Sequence, residues 1–176
     1  NPLPNANITT SAKSGCVPLC LDYNSSSSSN IVSYSWFVNN AGISSNANGN
    51  YCFSTAANYS LNLMVTDNNG CSNYSNPINI SVSPAPIADF NHAPIKPIIN
   101  IDGEVTFTDA SHGATITNWN WYFMNTAQYT SNLQNPTFLY SEPGVYVVAL
   151  VVKSDKGCTD TILRELVVGE DYGLYV

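Results

Sequence analysis

Residues 138–158 read FLYSEPGVYVVALVVKSDKGC, and residues 51–71 read YCFSTAANYSLNLMVTDNNGC. The two stretches align without a gap at a constant separation, since 138 − 51 and 158 − 71 both equal 87. Each combines a run rich in β-branched, aromatic and other apolar residues with a short turn that ends in Gly-Cys. Such a run predicts a β-strand, and glycine in a short turn favours a hairpin. The chain is therefore predicted to hold two copies of one β-rich unit.

The repeat extends upstream, with small changes of offset. Residues 31–36 (IVSYSW) match residues 116–121 (ITNWNW) at 116 − 31 = 85, and residues 21–23 match residues 105–107 at 105 − 21 = 84. These shifts predict loop insertions and deletions between strands. The connector Ser83-Pro84-Ala85-Pro86 is predicted to be extended, because proline-rich linkers are semi-rigid. We expect domains at 1–85 and 86–169, and a linker at 170–176.

Both copies lack a capped amphipathic helical pattern. About seven short strands, spaced by turns in roughly 85 residues, are typical of an Ig-like sandwich of two antiparallel sheets. Trp36 and Trp121, each in the middle of a strand pattern, are predicted to anchor the two cores. The predicted fold is all-β, with two tandem sandwiches.

Composition excludes several kinds of partner. Hydrophobic residues make up 44% of the 176 positions, enough for a core, whereas charged residues make up only 10%. Five Lys and Arg against twelve Asp and Glu give a net charge of −7, which disfavours nucleic acids and anionic membrane surfaces. The longest apolar run, residues 145–152, is far shorter than the roughly 20 residues of a spanning helix. We expect neither nucleic-acid binding nor membrane insertion.

Three motifs resemble the PKD domain. They are Gly15-Cys16-Val17-Pro18-Leu19, Tyr34-Ser35-Trp36 and the segment Pro143–Val152. The second copy also has Ala88-Asp89-Phe90 and Gly157-Cys158-Thr159-Asp160, as in PKD repeats of secreted Bacteroidota proteins. The resemblance covers nearly the whole chain and implies the Ig-like fold. The family's Trp-x-Phe-Gly-Asp-Gly motif is replaced by residues 36–40 (WFVNN) and 121–125 (WYFMN), so no role of that acidic turn is expected here.

The tail carries a second resemblance. Residues 167–176 (VVGEDYGLYV) resemble the lead-in to a C-terminal sorting domain of the type IX secretion system, as on gliding-motility-associated surface proteins. This implies the last two PKD repeats of a longer exported chain, outer-membrane associated on a Gram-negative bacterium. Its machinery partner would act through a downstream segment. The implied function is a non-catalytic stalk or spacer of a cell-surface adhesin. The alternative is accessory modules of a secreted polysaccharide- or protein-degrading enzyme.

Five cysteines are present, without the spacing of a zinc site. Two disulfides that cross-link a small extracellular domain are expected. Placed on such a sandwich, Cys16 is predicted to pair with Cys71, and Cys20 with Cys52, in preference to the other two connectivities. Cys158 is then left over, because the second copy has Asn100 or a neighbour where Cys16 would stand. It is predicted to be an unpaired thiol, or to pair with a segment outside this chain.

No catalytic or metal-binding motif is recognised. The acidic residues Asp67, Asp109, Asp155 and Asp160 read as solvated turn residues rather than as a glycosidase pair. Calcium takes the same oxygen ligands, but no DxDxDG loop is present, and no GxSxG elbow marks a nucleophile. We therefore expect no enzyme activity and no cofactor, with calcium on these carboxylates as the less favoured alternative.

Three aromatic residues are candidates for binding a glycan, and one threonine is a candidate for carrying one. Trp119 is predicted to share a strand face with Trp121, where it either packs on the core or binds an extracellular glycan or surface ligand; Tyr34 and Tyr129 are further exposed-aromatic candidates. Asp160-Thr161-Ile162 resembles the O-glycosylation signal of Bacteroidota, which implies a glycan on Thr161.

Overall fold

A computed structural model of the chain describes residues 2–28, 30–124 and 128–170. It divides into two compact units, Asn1–Pro84 and Ala85–Val176, hereafter module 1 and module 2. The division lies one residue before the predicted boundary, and the predicted linker at 170–176 lies, from residue 171 onward, outside the described residues. Every regular element in the described ranges is a strand. The prediction of two tandem all-β sandwiches is confirmed.

Module 1 contains nine strands. They are β1 (Ile8–Thr10), β2 (Ser14–Cys16), β3 (Leu19–Ser25), β4 (Ile31–Val38), β5 (Ala41–Ser44), β6 (Asn48–Phe53), β7 (Ala57–Asp67), β8 (Ser72–Tyr74) and β9 (Ile78–Ser83). One sheet has the order β1-β3-β6, and the other has the order β2-β9-β7-β4-β5 with β8 also paired to β7. All pairs are antiparallel except β2 with β9.

The core of module 1 lies between these two sheets because alternate residues of each strand face inward. On β7 the buried positions are Leu61, Leu63 and Val65, each 0% exposed. Trp36 of β4 is also fully buried and contacts the ring of Tyr23 at 4.5 Å between centroids. Its indole Nε1 donates a hydrogen bond to the carbonyl of Asn46 at 2.9 Å. The predicted anchor role of Trp36 agrees with this burial.

Module 2 contains seven strands. They are β10 (Phe90–Ala93), β11 (Glu104–Asp109), β12 (Ile116–Tyr122), β13 (Thr130–Ser131), β14 (Thr137–Leu139), β15 (Gly144–Ser154) and β16 (Thr159–Val168). One sheet has the order β10-β11-β14, and the other has the order β13-β12-β15-β16. Their pairs are antiparallel. The predicted strand around residues 145–152 is the central part of β15.

The core of module 2 repeats that of module 1. Trp121 is 0% exposed, and its Nε1 donates to the carbonyl of Leu133 at 2.9 Å. The aromatic rings of Phe90 and Phe107 lie 5.1 and 5.5 Å from the Trp121 ring. Both modules thus bury a tryptophan from the same strand position and satisfy its only polar atom with a loop carbonyl, as a buried indole requires.

The last strand distinguishes the modules. In module 2, β16 pairs with β15 over ten consecutive residues. In module 1 the equivalent strand is broken into β8 and β9, and one extra residue lies between them. Met64 faces Tyr74, but Leu61, three residues earlier on β7, faces Ile78, which is four residues after Tyr74. Pro77 lies in the break and has no N–H to give to a ladder. Buried Ser75 replaces the missing pairing: its Oγ accepts from the Leu63 N–H at 3.0 Å, and its N–H donates to the Leu63 carbonyl at 2.8 Å.

Candidate functional site

The first cross-link joins Cys20 to Cys52, with an S–S distance of 2.01 Å. This is the pairing predicted for these two cysteines. They lie directly opposite each other on β3 and β6, and their side chains are on the exposed face, while the neighbouring Leu21 and Phe53 point into the core. The bond therefore locks the register of this strand pair from outside. A one-residue slip would turn the core side chains toward solvent.

The prediction that Cys16 pairs with Cys71 is wrong. Cys71 is a free cysteine. Cys16 faces Ser83 on β9. The residue before Ser83, Val82, faces Ala57, which is the first residue of β7, so Cys16 lies near the beginning of β7. Cys71 instead follows Asp67, the last residue of β7. The length of β7 places the two cysteines roughly 30 Å apart at about 3.3 Å per residue, whereas a disulfide needs Cα atoms within about 7 Å.

The prediction that Cys158 is an unpaired thiol is also wrong. Both Cys16 and Cys158 are disulfide-bonded. Cys158 is only 1% exposed, so it does not lie at an exposed turn as expected. The position equivalent to Cys16 in module 2 is Ile98, because Ile98 faces Gly169 in the parallel sense in which Cys16 faces Ser83.

Each module presents the same five-residue turn before its last strand, hereafter the cysteine turn: Asp67–Cys71 in module 1 and Ser154–Cys158 in module 2. In both, the first residue's N–H donates to the cysteine carbonyl, at 3.0 Å in module 1 and 2.8 Å in module 2. Gly70 and Gly157 adopt positive φ, 82° and 85°, which explains the glycine in both copies.

The two cysteine turns are capped by different side chains. Oδ1 of Asp67 accepts from the N–H groups of Asn69 and Cys71, each at 2.9 Å. The bond from the Cys71 N–H is the main reason that the pKa of the Asp67 carboxyl is lowered. In module 2 the hydroxyl of Ser154 accepts from the Cys158 N–H at 3.1 Å. Asp67 is thus a structural cap. As the buried last residue of β7 it is not the solvated turn residue that the sequence predicted, and Asp109 and Asp160 likewise belong to strands, β11 and β16.

The cysteine turn lies where the chain enters each module, hereafter the leading end. In module 1, Asn73 beside the turn donates to the carbonyl of Pro4 at 2.9 Å. In module 2, the Ala88 N–H donates to Oδ2 of Asp160 at 2.8 Å, just after Cys158. Cys16 belongs to the opposite, trailing end of module 1, since it faces Ser83, the last residue of β9.

Trp119 lies on β12 and packs, partly buried, against the core of module 2. Its Nε1 donates to Oδ2 of Asp109 at 2.8 Å, and Gln134 donates to the same oxygen at 3.1 Å. Burial raises the pKa of Asp109, but hydrogen bonds from Ser111, Gln134 and Trp119 outweigh burial, so the pKa is lowered overall. Much of the indole of Trp119 therefore packs on the core or binds this carboxylate. The spacing of the two residues in the sequence did not predict the Trp119–Asp109 hydrogen bond.

Thr161 is exposed on β16, facing Val151. Its neighbour in the suggested modification signal, Asp160, is already engaged by the Ala88 N–H. Of the other aromatic candidates, Tyr129 is 41% exposed and contacts Phe138, whereas Tyr34 packs against the core of module 1.

The Ala88-Asp89-Phe90 motif holds the two sheets of module 2 together. Ala88 and Phe90 are buried in the core, and Oδ1 of Asp89 pairs with Arg164 of β16 at 2.7 Å. The Arg164 guanidinium also donates to the Phe90 carbonyl and lies 5.1 Å from the Phe90 ring centroid. Arg164 was not predicted from the sequence, although the carboxylate of Asp89 favours a cationic partner.

Module 2 also has an open, largely apolar groove of about 730 Å³, between the segment that follows β10 and the end of β16. Its lining includes His92, Ile95, Pro97, Ile98, Leu166 and Val167. No group of three or more potential metal ligands occurs in the described parts of the chain, and no helix among them could span a membrane.

Comparison with known proteins identifies related domains. The family model described as PKD domain matches residues 1–82 and again residues 83–168. The PKD1 domain of the Vibrio cholerae metalloprotease PrtV is 30% identical, with 48% of this chain and 98% of that domain covered and a TM-score of 0.42. The PKD1 domain of Vibrio anguillarum Epp is 28% identical, with 49% of this chain and 96% of that domain covered and a TM-score of 0.42.

A carbohydrate-binding module structure from the β-sandwich superfamily is 26% identical, with 51% of this chain covered and a TM-score of 0.45. This chain spans 36% of that structure's length. No curated protein matches the chain in sequence.

Proposed function

Because this chain belongs to the PKD domain family, as two consecutive modules, we propose that it is a non-catalytic spacer and interaction segment of an exported cell-surface protein. The observation that carries the proposal is that each module closes its own complete core between two sheets. A module that satisfies its packing internally can be repeated along a chain without losing stability. Repetition of such units gives length, which is what a stalk needs.

The cysteine chemistry supports an extracellular location. Cys20 and Cys52 form a disulfide on an exposed face, where cytosolic reductants would reach it. Disulfides persist in oxidising compartments and are rare in the cytosol. Four of the five cysteines, all except Cys71, are disulfide-bonded. We infer that the chain functions outside the cell, on the outer-membrane surface of a Gram-negative bacterium.

The finer assignment is an adhesin associated with gliding motility and exported by the type IX system. It is supported by the resemblance of residues 167–176 to the lead-in of a sorting domain. Val167 and Val168 end β16, so that lead-in begins within module 2 and continues into residues 171–176, outside the described part. The secretion machinery would act through a segment that follows.

The acidic residues support the non-catalytic assignment. Asp67, Asp109 and Asp160 each accept hydrogen bonds from neighbouring N–H groups, and Asp155 forms an ion pair with Lys156 at 3.1 Å. Each of these carboxylates therefore has a local structural partner. The catalytic carboxyl group of a glycosidase works instead with a second carboxylate placed about 5 to 10 Å away across a cleft.

The competing function is an accessory, glycan-binding module of a secreted degradative enzyme. The exposed ring of Tyr129 and the partly exposed Trp119 favour it, because sugars stack on aromatic faces. Glycan-array binding by Trp119→Ala tests it, with Trp119→Phe as a matched control that keeps an aromatic ring but loses the N–H. If Trp119 only packs, both variants bind as the unaltered chain does. A loss of binding confined to Trp119→Ala would support the glycan site.

The decisive experiment locates and sizes the native polypeptide. An antibody raised against residues 1–176 is applied to intact and protease-treated cells. We expect a protease-sensitive chain many times larger than 19.0 kDa. A soluble protein of modest size in the medium, with hydrolase activity, would overturn the stalk function and support the accessory-module function.

A further inference from the structure

The outer side of β16 carries main-chain groups without partners. Among the strands of the described residues, β16 pairs only with β15. Its last neighbour, Gly169, points outward: its N–H donates to the Pro97 carbonyl at 2.8 Å, and its carbonyl accepts from the Ile99 N–H at 3.1 Å. Since this direction alternates along a strand, the N–H and C=O groups of Glu165 and Val167 also point outward. No described residue bonds to these groups, hereafter the open edge.

Module 1 closes the corresponding edge with a strand of its own. There β2 pairs in parallel with β9 over three residues, and the Ser81 N–H donates to the Lys13 carbonyl at 2.9 Å. Val167 is the counterpart of Ser81, because each lies two residues before the parallel contact that both modules share. The position that is open in module 2 is therefore one that an extended strand occupies in module 1.

A proline explains why module 2 does not close the edge itself. In the parallel pairing of module 1, the carbonyl at the Ser81 position faces the N–H of Gly15, and the residue that corresponds to Gly15 is Pro97. Proline has no N–H to donate. The segment that follows β10 consequently meets this side of β16 only at Gly169.

The surroundings of the open edge are apolar. The groove of about 730 Å³ lies between this edge and the segment that follows β10, and its β16 side is roughly 17 Å long, the length of about five strand residues. Val167, Val145 and Ile95 are 62%, 64% and 74% exposed, and Val145 faces Val167. The corresponding pair in module 1 is Asn58 and Ser81. The closed edge is thus bordered by polar side chains and the open edge by apolar ones, as expected where another chain docks.

We propose that the open edge is a docking site for an extended segment of another polypeptide, which adds a strand beside β16. Its main chain exchanges hydrogen bonds with Glu165 and Val167, and its alternate apolar side chains lie against Ile95 and Val145. In strand addition, main-chain bonds supply affinity and alternate side chains supply specificity. The inference goes beyond the proposed function, because an open edge accepts a strand in a stalk and in an accessory module alike.

A second copy of this chain is the weaker occupant. When two β16 strands pair so that Leu163 and Val167 face each other, Glu165 faces Glu165 of the other copy. Like charges directly opposite each other destabilise a strand pair, and each copy carries a net charge of −7. The inference therefore commits to a different polypeptide, uncharged where it faces Glu165.

The test is an NMR titration of the ¹⁵N-labelled 176-residue chain with the end-capped peptide SVTVSVT. Two matched controls carry N-methyl groups, one on the valines and the other on the serines and threonines. Only alternate N–H groups of an added strand face its neighbour. One control should therefore bind at least about tenfold more weakly than the parent peptide, and the other should bind like it. Which control loses binding also reports the direction of the added strand.

Two variants of Val167 separate main-chain from side-chain recognition. Val167→Pro removes an N–H that does not pair with β15, so the module should keep its fold, and binding should fall at least about tenfold. Val167→Ser keeps the N–H and copies module 1, and should weaken binding less. Amide signals of β15 show whether Val167→Pro is folded. If it is not, the two control peptides still decide the question on the unaltered chain.

The expected result is slower amide exchange at Glu165 and Val167 when the peptide is present. Unchanged exchange at millimolar peptide, or equal binding by the two control peptides, would overturn the proposal. Protection that rises with protein concentration in the absence of peptide would assign the edge to a second copy and overturn the committed occupant. Each of these failures leaves the spacer function standing, because that function is tested by the size and surface location of the native polypeptide.

Discussion

The cores of module 1 and module 2 are built in the same way, whereas the edges of their sheets differ. Trp36 and Trp121 are buried to the same extent and donate to loop carbonyls at the same distance. Tyr59 and Tyr146 both donate to the carbonyl four residues upstream, at 2.9 and 2.7 Å. The last strand and the cap of the cysteine turn differ instead. Positions that fill the space between sheets are interchangeable only within narrow limits of volume, whereas edge positions can be satisfied in several ways.

The equivalence of the two cores predicts the largest effect. Trp36→Ala and Trp121→Ala should each cost about 3 to 5 kcal/mol, since each leaves a large cavity and an unpaired loop carbonyl. Hydrogen exchange followed by mass spectrometry reports the two modules separately. Each substitution should raise exchange in its own module. If one substitution raised hydrogen exchange strongly and the other hardly at all, the two cores would not be equivalent.

The disulfide on the sheet β1-β3-β6 has no counterpart in module 2. Replacing both Cys20 and Cys52 by Ser should destabilise module 1 by about 3 kcal/mol, because the bond closes a loop of 32 residues. Denaturant unfolding combined with hydrogen exchange measures this cost. Exchange in the cores of β12 and β15 serves as the control and should stay unchanged. Equal loosening of both modules would contradict the assignment.

The broken last strand of module 1 depends on Ser75. Ser75→Ala should cost about 1 to 2 kcal/mol, because the buried N–H of Leu63 loses its acceptor. The matched control is Ser72→Ala on the same strand pair, where the exposed hydroxyl contacts Thr66 and only a few tenths of a kcal/mol are expected. Chemical denaturation measures both. A Ser75→Ala cost no larger than the control would show that water replaces the hydroxyl.

The Trp119–Asp109 bond is confined to module 2, since Tyr34 and Ser25 occupy the matching positions. Asp109→Asn should lower stability at neutral pH by about 1 kcal/mol, after allowance for the partial exposure of the carboxylate. The folded-state pKa of Asp109 is lowered. Its contribution is therefore present above the unfolded pKa of about 3.9 and is lost as pH falls through the folded value. The two proteins should converge in stability at low pH; a constant difference would point to packing.

The smallest effect is expected from exchanging the caps of the cysteine turns. Asp67→Ser should remove an acid-dependent part of the stability of module 1, because the Asp67 pKa is lowered chiefly by the Cys71 N–H. That part is present above the unfolded pKa and is lost below the folded one. Ser154→Asp should introduce the same dependence in module 2. Thermal melting between pH 3 and 7 measures both, and an unchanged pH profile in both variants would deny the caps any electrostatic role.

Much of the fold could be predicted because the repeat shows itself in the sequence. Alternating apolar residues on β7 and β15 mark strands whose inward faces are buried, and the Gly-Cys turns mark where they end. The pairing of Cys20 with Cys52 was also within reach, because both lie in neighbouring strands. The break at Pro77 was not recognised, since one inserted residue is invisible without the strand register on either side.

The sequence by itself determined the two-fold repeat, the β-sandwich class and the buried tryptophans, because those depend on local periodicity and on volume. Tertiary structure alone decided which cysteines could pair, since strand direction puts Cys16 and Cys71 at opposite ends of β7. It also decided that Asp109 holds Trp119 and that Arg164 holds Asp89. Pairs of this kind are set by the distance between side chains after the sheets have packed, and that distance is not a function of separation along the chain.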